Sequence, residues 1–206
     1  MSNKPGNDVH LVAWSGGLDS TWLVWELCRQ GVTTCADHYH QVGGSERKRR
    51  LVSAQQAAVS IIAPKLELCG LTVRTVHPLE KDSPHDIVWC TEIVIDDAIH
   101  GLHAWPSSFY LAVRTDETSN AQLIRQAAAR DLWEEFAPSW SQIVVPACGL
   151  TRKEMWDQLP EEIRRHTWSC RNPKMLSGSC APCQRCKPCK ELAAAGVPIA
   201  REVTVE

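Results

Sequence analysis

The sequence has no apolar run approaching the roughly 18 residues that a membrane-spanning helix needs, so an integral membrane role is excluded from the expectation. It also lacks a charge excess. With a formal net charge of −2 and a pI near 6.4 there is no general pull toward nucleic acid or anionic lipid. The leading residues MSNKPGND are polar and lack the apolar centre of a secretory signal, which leads us to expect a cytoplasmic protein. Internal repeats and low-complexity segments are missing too. The glycine-rich turn SGGLDS contains no lysine where a Walker-type loop would place one, which excludes that loop.

Cysteine, by contrast, is abundant, with ten in 206 residues. Cys28, Cys35, Cys69, Cys90 and Cys148 are scattered among apolar neighbours, where a free thiol behaves as a small core residue. Cys170, Cys180, Cys183, Cys186 and Cys189 instead crowd into twenty positions. Without a secretory signal, metal is a better reading of that crowd than a disulfide framework. The CxxC spacing lets two thiolates reach one ion from a tight turn. Four thiolates close a tetrahedral zinc site with no open position for water, so such a site is structural rather than catalytic. An iron–sulfur cluster and reduced, unliganded thiols are the alternatives.

Short apolar runs alternate with helix-like segments along most of the chain. Residues 10–14, 33–40, 71–78, 107–115 and 141–148 are rich in β-branched and aromatic residues and read as strands. Helices are predicted over 18–30, 45–62, 87–103 and 119–136. Near-continuous apolarity in LVAW and IVVPA suits strands covered on both faces. The expectation is an α/β protein with a Rossmann-like parallel sheet, its ligand at the carboxyl ends of the strands. After about Thr151 the rhythm stops, and a loop-rich C-terminal module holds the cysteines. The boundaries read as an α/β domain over 9–166 and a small metal-binding module over 167–196. The charge run SERKRR reads as a solvated helix start, with nucleotide phosphates as the other reading.

In SGGLDS the first strand gives way to a helix near Leu18. Gly16 and Gly17 permit backbone angles closed to other residues and let a ligand approach the main chain. Free N–H groups at the helix start favour an anion, and Ser15 and Ser20 add hydroxyl donors. Asp19 is a poor phosphate ligand alone but a sensible one when Mg²⁺ bridges it to phosphate oxygens. A tight strand-to-helix turn capped by Ser15 is the plain structural alternative. The six residues Ser15-Gly16-Gly17-Leu18-Asp19-Ser20 resemble the SGGxDS signature of the PP-loop (N-type) ATP pyrophosphatases. That resemblance implies a PP-loop-type sheet and a loop that holds the β- and γ-phosphates of ATP while the α-phosphate goes to a substrate oxygen. It implies ATP contacts at Ala13, Trp14, Ser15, Gly16, Gly17, Leu18, Asp19 and Ser20, with Asp19 and Ser20 also catalytic.

The cysteine segment narrows the resemblance. Thr167-Trp168-Ser169-Cys170-Arg171-Asn172, followed by Pro182-Cys183-Gln184-Arg185-Cys186-Lys187-Pro188-Cys189, is similar to the T-x-x-C-Y-N and C-x-x-C-x-x-C segments of the 7-cyano-7-deazaguanine synthases (QueC-like enzymes). The resemblance implies Zn²⁺ on Cys170, Cys183, Cys186 and Cys189, with Cys180 an extra cysteine able to replace Cys189. It spans roughly residues 11–196. The implied reaction takes 7-carboxy-7-deazaguanine, ammonia and ATP with Mg²⁺. The carboxylate is adenylated, ammonia displaces AMP to give an amide, and a second adenylation permits dehydration to the nitrile.

The middle of the chain departs from the pattern. Asp37 and Tyr39 stand where the family has D-Y-G-Q near the adenosine, without the glycine; an ordinary strand end is the other reading. The family's VPGRN falls at Val88-Trp89-Cys90-Thr91-Glu92, which lacks its Gly, Arg and Asn, so Glu92 reverses the local charge at a substrate position. After the fourth strand, Glu117 and Ser119 match the E-T-D-x-S segment by position, and Asp116 lies beside them. A carboxylate there could accept the two N–H donors of a guanine-type edge, or the same residues could cap the next helix. Lys153, in LTRKEMW, reaches a phosphate or the substrate carboxylate, or else pairs with surface acids. Trp14, Trp22, Trp25 and Trp168 read as core, and His38 and His40 as structural.

Four functions remain open at this point. The first is a synthase acting on the small deazapurine, of the type used in queuosine biosynthesis. The second is a variant that gives the activated base to another amine, as in QueC-like relatives associated with anti-phage defence, with a protein amine as acceptor. The third is a tRNA-modifying PP-loop enzyme, for which the near-neutral charge offers no basic face. The fourth is a nucleotide-sensing or zinc-based module without turnover. The assembly is read as a monomer or a homodimer, with nucleic acid not expected as a partner.

Overall fold

The computed structural model describes residues 9–32, 34–39, 45–67, 72–76, 86–112, 120–146, 149–199 and 202–204. Five strands, β1 (His10–Ala13), β2 (Thr34–Tyr39), β3 (Thr72–Val76), β4 (Ser108–Leu111) and β5 (Gln142–Val144), form one parallel sheet in the order β3-β2-β1-β4-β5. The four crossovers carry α1 (Leu18–Arg29), α2 (Glu46–Glu67), α3 (Asp86–Ile99) and α4 (Asn120–Phe136). The chain thus builds outward from β1 through β2 to β3, then returns to the other side of β1 with β4 and β5. The direction reverses between β1 and β4, the switch point at whose carboxyl ends sheets of this kind place their ligands. The expected mixed α/β architecture and all five strand positions are present.

Residue alternation along β1 explains the two layers. Val12 and Trp14 face a core made with Leu18, Leu23, Val24 and Leu27 of α1 and Val59, Ile62 and Leu66 of α2. Leu11 faces the opposite core with Phe109 and Leu111 of β4, Val94 and Ile95 of α3, and Trp133 of α4. Buried on both faces, these strands have the unbroken apolarity that parallel sheets require. In the second core Trp133 stacks on Phe109 at 5.3 Å and meets Trp105 edge-on at 5.7 Å.

Helix ends differ from the sequence expectation for identifiable reasons. The third helix stops at Ile99 because Gly101, at φ +70°, lets Leu102 N–H return to Asp97 O at 2.8 Å, a glycine-based cap. The second helix runs on to Glu67 through Pro64, which removes one backbone donor; buried Ile62 and Leu66 hold its last turn to the sheet.

After β5 come α5 (Arg152–Gln158) and α6 (Glu161–Arg164), with α5 packed on α1. Thr151 and Glu154 close a capping box at the start of α5, and backbone and side-chain donation from Thr151 lowers the pKa of the Glu154 carboxyl. The C-terminal unit has β6 (Lys174–Leu176), β7 (Ser179–Ala181), α7 (Lys187–Ala194) and β8 (Val203–Thr204), the three strands antiparallel in the order β6-β7-β8. β8 lies beyond residue 196, so the small sheet is completed by chain past the expected boundary. Among the described residues no helix is long and apolar enough to cross a membrane.

Replacing Trp133 with alanine should cost about 3–5 kcal/mol, because its stacked and edge-on aromatic partners cannot close the cavity. Urea unfolding of the variant checks this. An unchanged midpoint would show that the second core does not depend on Trp133.

Candidate functional site

Trp14, the residue after β1, is held on three sides. Its N–H donates to Asp37 O at 2.9 Å, its carbonyl meets His38 Nδ1 at 3.0 Å, and its indole N–H donates to Thr21 Oγ1 at 3.0 Å. The chain then turns through Ser15, Gly16 and Gly17 into α1. Gly16 has φ +73°, and a Cβ there would lie 3.0 Å from Val59 Cγ2 and 3.3 Å from Gln55 O of α2. Only glycine meets both conditions. Ser15 Oγ and Ser20 Oγ stand 3.1 Å apart, and Ser15 N–H donates to Ser20 Oγ at 3.3 Å. The two hydroxyls therefore share one side of the turn, beside the start of α1, where Leu18 N–H is taken by Ser169 Oγ and the N–H groups of Asp19 and Ser20 have no acceptor within the helix.

Asp19 occupies that first turn. Its Oδ1 is buried with no hydrogen-bond partner among the described residues, while Oδ2 lies 3.6 Å from an Arg152 nitrogen. Arg152, on α5, is 8% exposed and also pairs with Glu191 of α7. The orphaned carboxylate oxygen suits a divalent cation, and the adjacent helix N–H groups suit an anion such as phosphate. Lys153, the basic residue singled out from sequence, points the other way: it is half-exposed and pairs with Asp157 along α5. Arg152 is the basic residue that faces Asp19. An alternation rule hints at it, since a short helix packed on α1 through Met155 and Trp156 buries position 152 and exposes 153.

The other expected contacts fall less near the turn. Asp37 is fully buried in β2, its Oδ1 3.6 Å from the Cys35 thiol, and gives the turn its backbone carbonyl. Ala13 is half-buried at the end of β1. Glu92 is an exposed residue of α3. The side chain of Tyr39 lies outside the described residues, as do Asp116, Glu117 and Ser119, whose segment joins β4 to α4.

Four thiols form the second feature. The Sγ atoms of Cys170, Cys183, Cys186 and Cys189 all lie within 4.8 Å of one another. Cys186 Sγ is 3.4 Å from Cys189 Sγ and 4.0 Å from Cys170 Sγ. A tetrahedron with metal–sulfur bonds of about 2.3 Å has sulfur–sulfur edges of about 3.8 Å, so the cluster can hold a metal ion. Backbone N–H groups support the sulfurs: Cys183 N donates to Cys170 Sγ at 3.2 Å, and Arg185 N and Cys186 N donate to Cys183 Sγ at 3.4 and 3.3 Å. The last two follow from Gln184, whose φ of +59° folds the CxxC turn back on itself. Cys180 is excluded from the cluster. It is buried with its Sγ against Met175 Sδ at 3.2 Å and Arg50 O at 3.8 Å, so Cys189 completes the set.

Compared with known proteins, the chain matches no family model and no curated protein. The arrangement therefore has to be read from its own geometry. The two features touch. Trp168 N–H donates to Gly16 O at 2.8 Å, and Leu18 N–H donates to Ser169 Oγ at 3.3 Å, so the segment leading into Cys170 lies along the turn.

Charge on the thiols is set by burial and by these N–H groups. Burial pushes Cys170 up to about 11 and raises Cys189 as well. At Cys183 burial also raises the pKa, but donation from Arg185, Cys186 and the neighbouring thiols outweighs it and holds the group at about 7. Metal uptake at about pH 7 must therefore expel protons from Cys170 and Cys189, and affinity must fall as pH drops and the thiolates are lost. Zinc added to metal-free protein in weak buffer should acidify the solution; no proton release would contradict these protonation states. Cys183→Ser should lose the ion while Cys180→Ala keeps one per chain, as elemental analysis would read.

Gly16→Ala adds a left-handed strain of about 1–2 kcal/mol to the collision with α2. Thermal unfolding should register that loss. A variant as stable as the parent would mean that the turn relaxes freely.

Proposed function

We propose that the protein is an ATP-dependent carbon–nitrogen ligase of the 7-cyano-7-deazaguanine synthase type, a PP-loop enzyme that adenylates the carboxylate of 7-carboxy-7-deazaguanine. The observation that carries this reading is the turn at the carboxyl end of β1. Ser15 and Ser20 hydroxyls, helix N–H groups and the unpartnered Asp19 Oδ1 converge there at the switch point of a parallel sheet. The SGGLDS sequence and the T-W-S-C…C-x-x-C-x-x-C order support the same family.

In this reading Ser15, Gly16, Gly17 and Ser20 cradle the β- and γ-phosphates, and Asp19 holds Mg²⁺, which offsets the charge of the departing pyrophosphate. Arg152 supplies the positive charge that a Walker loop takes from its lysine. A substrate carboxylate oxygen bonds to the α-phosphorus as the α–β P–O bond breaks, and pyrophosphate leaves. Ammonia then bonds to the acyl carbon, AMP departs with the electron pair, and a nitrogen proton passes to solvent, leaving the amide. Adenylating that amide oxygen and eliminating AMP with the remaining amide protons gives the nitrile. Asp116 or Glu117, in the connection after β4, accepts from the donor edge of the base, and Asp37 and Tyr39 border the adenosine. The four thiols hold zinc in a closed structural site.

Glu92 favours a second outcome for the later steps. It puts an exposed carboxylate where the family pattern has Arg-Asn, and a negative charge there opposes anionic intermediates of a second adenylation. The activated base would then pass to another amine, such as one on a protein.

Incubation with ATP, Mg²⁺, ammonia and 7-carboxy-7-deazaguanine, followed by mass spectrometry, tests both. AMP and pyrophosphate should appear, and Asp19→Ala should lower turnover by at least about 100-fold, the scale of losing a charge-stabilising group. ADP as the nucleotide product overturns the proposal. Nitrile as the main early base product identifies an ordinary synthase, whereas accumulating amide, or acyl transfer to a supplied peptide amine, identifies the variant.

A further inference from the structure

The metal-binding module grips the turn at three points, each within two residues of a metal-binding cysteine. Trp168 donates its N–H to Gly16 O at 2.8 Å, and its own indole N–H donates to Cys170 O at 3.0 Å. Ser169 Oγ accepts from Leu18 N at 3.3 Å, the residue that opens α1. Glu191, one helical step past Cys189, pairs with the buried Arg152 that faces Asp19, and its other oxygen lies 3.5 Å from Lys187. A Cβ on Gly17 would stand 3.4 Å from Trp168 O, so the module also forms one wall of the turn.

Two carboxylates, Asp19 and Glu191, therefore compete for one guanidinium, and one belongs to the turn while the other rides on the metal module. A guanidinium has a planar fork of donors and can hold two acceptors at once, so its position is set by both. Removing Glu191 takes away one of the carboxylates that draw the guanidinium away from Asp19, the carboxylate that the cation needs. With Glu191 present, Arg152 is held back at 3.6 Å, and Asp19 Oδ1 stays unpartnered.

We propose that Glu191 is a positioning residue for the nucleotide site, acting through Arg152, and that metal occupancy of the cysteine cluster and MgATP binding at the turn are thereby coupled. This rests on the reading of the turn as an ATP site. By reciprocity, an ion that orders Ser169 and Glu191 tightens MgATP, and MgATP must retain the ion by the same factor.

The test uses the zinc-loaded full chain. Calorimetric titration with MgATP should give a dissociation constant roughly 5- to 20-fold weaker in Glu191→Ala, a usual size for coupling between sites. Glu191→Gln, which keeps one acceptor oxygen for Arg152, should recover most of that loss. Zinc stoichiometry and the unfolding temperature should stay at parent values in both. Saturating MgATP should slow zinc extraction by a metallochromic chelator in the parent protein, and slow it less in Glu191→Ala. Unchanged MgATP affinity in Glu191→Ala overturns the inference alone, as does an affinity loss that tracks lost zinc or lowered stability, or an extraction rate indifferent to MgATP. A parent protein that takes up no MgATP overturns the ATP site itself and this inference with it.

Discussion

The left-handed backbone of Gly16 is the constraint on which the site depends. At φ +73°, with the space a Cβ would take already closed by Val59 and the Gln55 carbonyl, it lets the chain pass from the end of β1 into α1 within four residues. Three consequences follow from that one turn. The hydroxyls of Ser15 and Ser20 come to 3.1 Å, the N-terminus of α1 points out of the sheet's carboxyl edge, and the Gly16 carbonyl is presented to Trp168. An L side chain at this position would meet both backbone strain and a filled space, so no compensating rotation is available.

Electrostatics at the turn are governed by how little solvent reaches Arg152. A guanidinium 8% exposed loses much of its hydration, and two carboxylates within reach compensate for it. Such a pairing contributes little net stability once desolvation is counted, and because two carboxylates face the guanidinium, loss of one still leaves its charge compensated. The three groups are thus better read as a fixed geometry than as a source of stability. Asp19 keeps one oxygen unsatisfied within that geometry, which is costly in a folded protein unless a ligand satisfies it.

The C-terminal unit has little apolar material of its own. Cys170, Cys180, Cys183, Cys189 and Trp168 share a core with Ala54 and Ala58 of α2 and Val203 of β8. Both alanines are fully buried, and the Cys180 thiol reaches the Arg50 carbonyl of the same helix at 3.8 Å. For a unit with so small a core, a metal ion on its four thiols would replace buried area. Fastening the same unit to Gly16 and Leu18 ties the order of the SGGLDS turn to the order of the cysteine cluster.

Much of this was legible in the residues alone. Periodicity placed all five parallel strands and four crossover helices to within a few residues, because strands buried on both faces and helices with one buried stripe leave distinct local patterns. The SGGLDS composition marked the turn, since a glycine pair, two hydroxyls and a carboxylate after a strand have few other uses. Cysteine spacing marked a metal cluster but could not choose between Cys180 and Cys189, as both keep a CxxC step. That choice is tertiary: pairing of β7 with β6 and β8 carries Cys180 against Met175 and Arg50 O, away from the other thiols. The selection of Arg152 over Lys153 is tertiary as well, because adjacent residues on a helix point about 100° apart and only the docking of α5 on α1 decides which is buried. Local pattern determined the elements and the chemistry they carry. Which basic residue faces Asp19 depended on docking of segments more than a hundred positions apart, and which cysteine completes the cluster depended on strand pairing in the C-terminal unit, and for neither does a linear sequence carry a local signal.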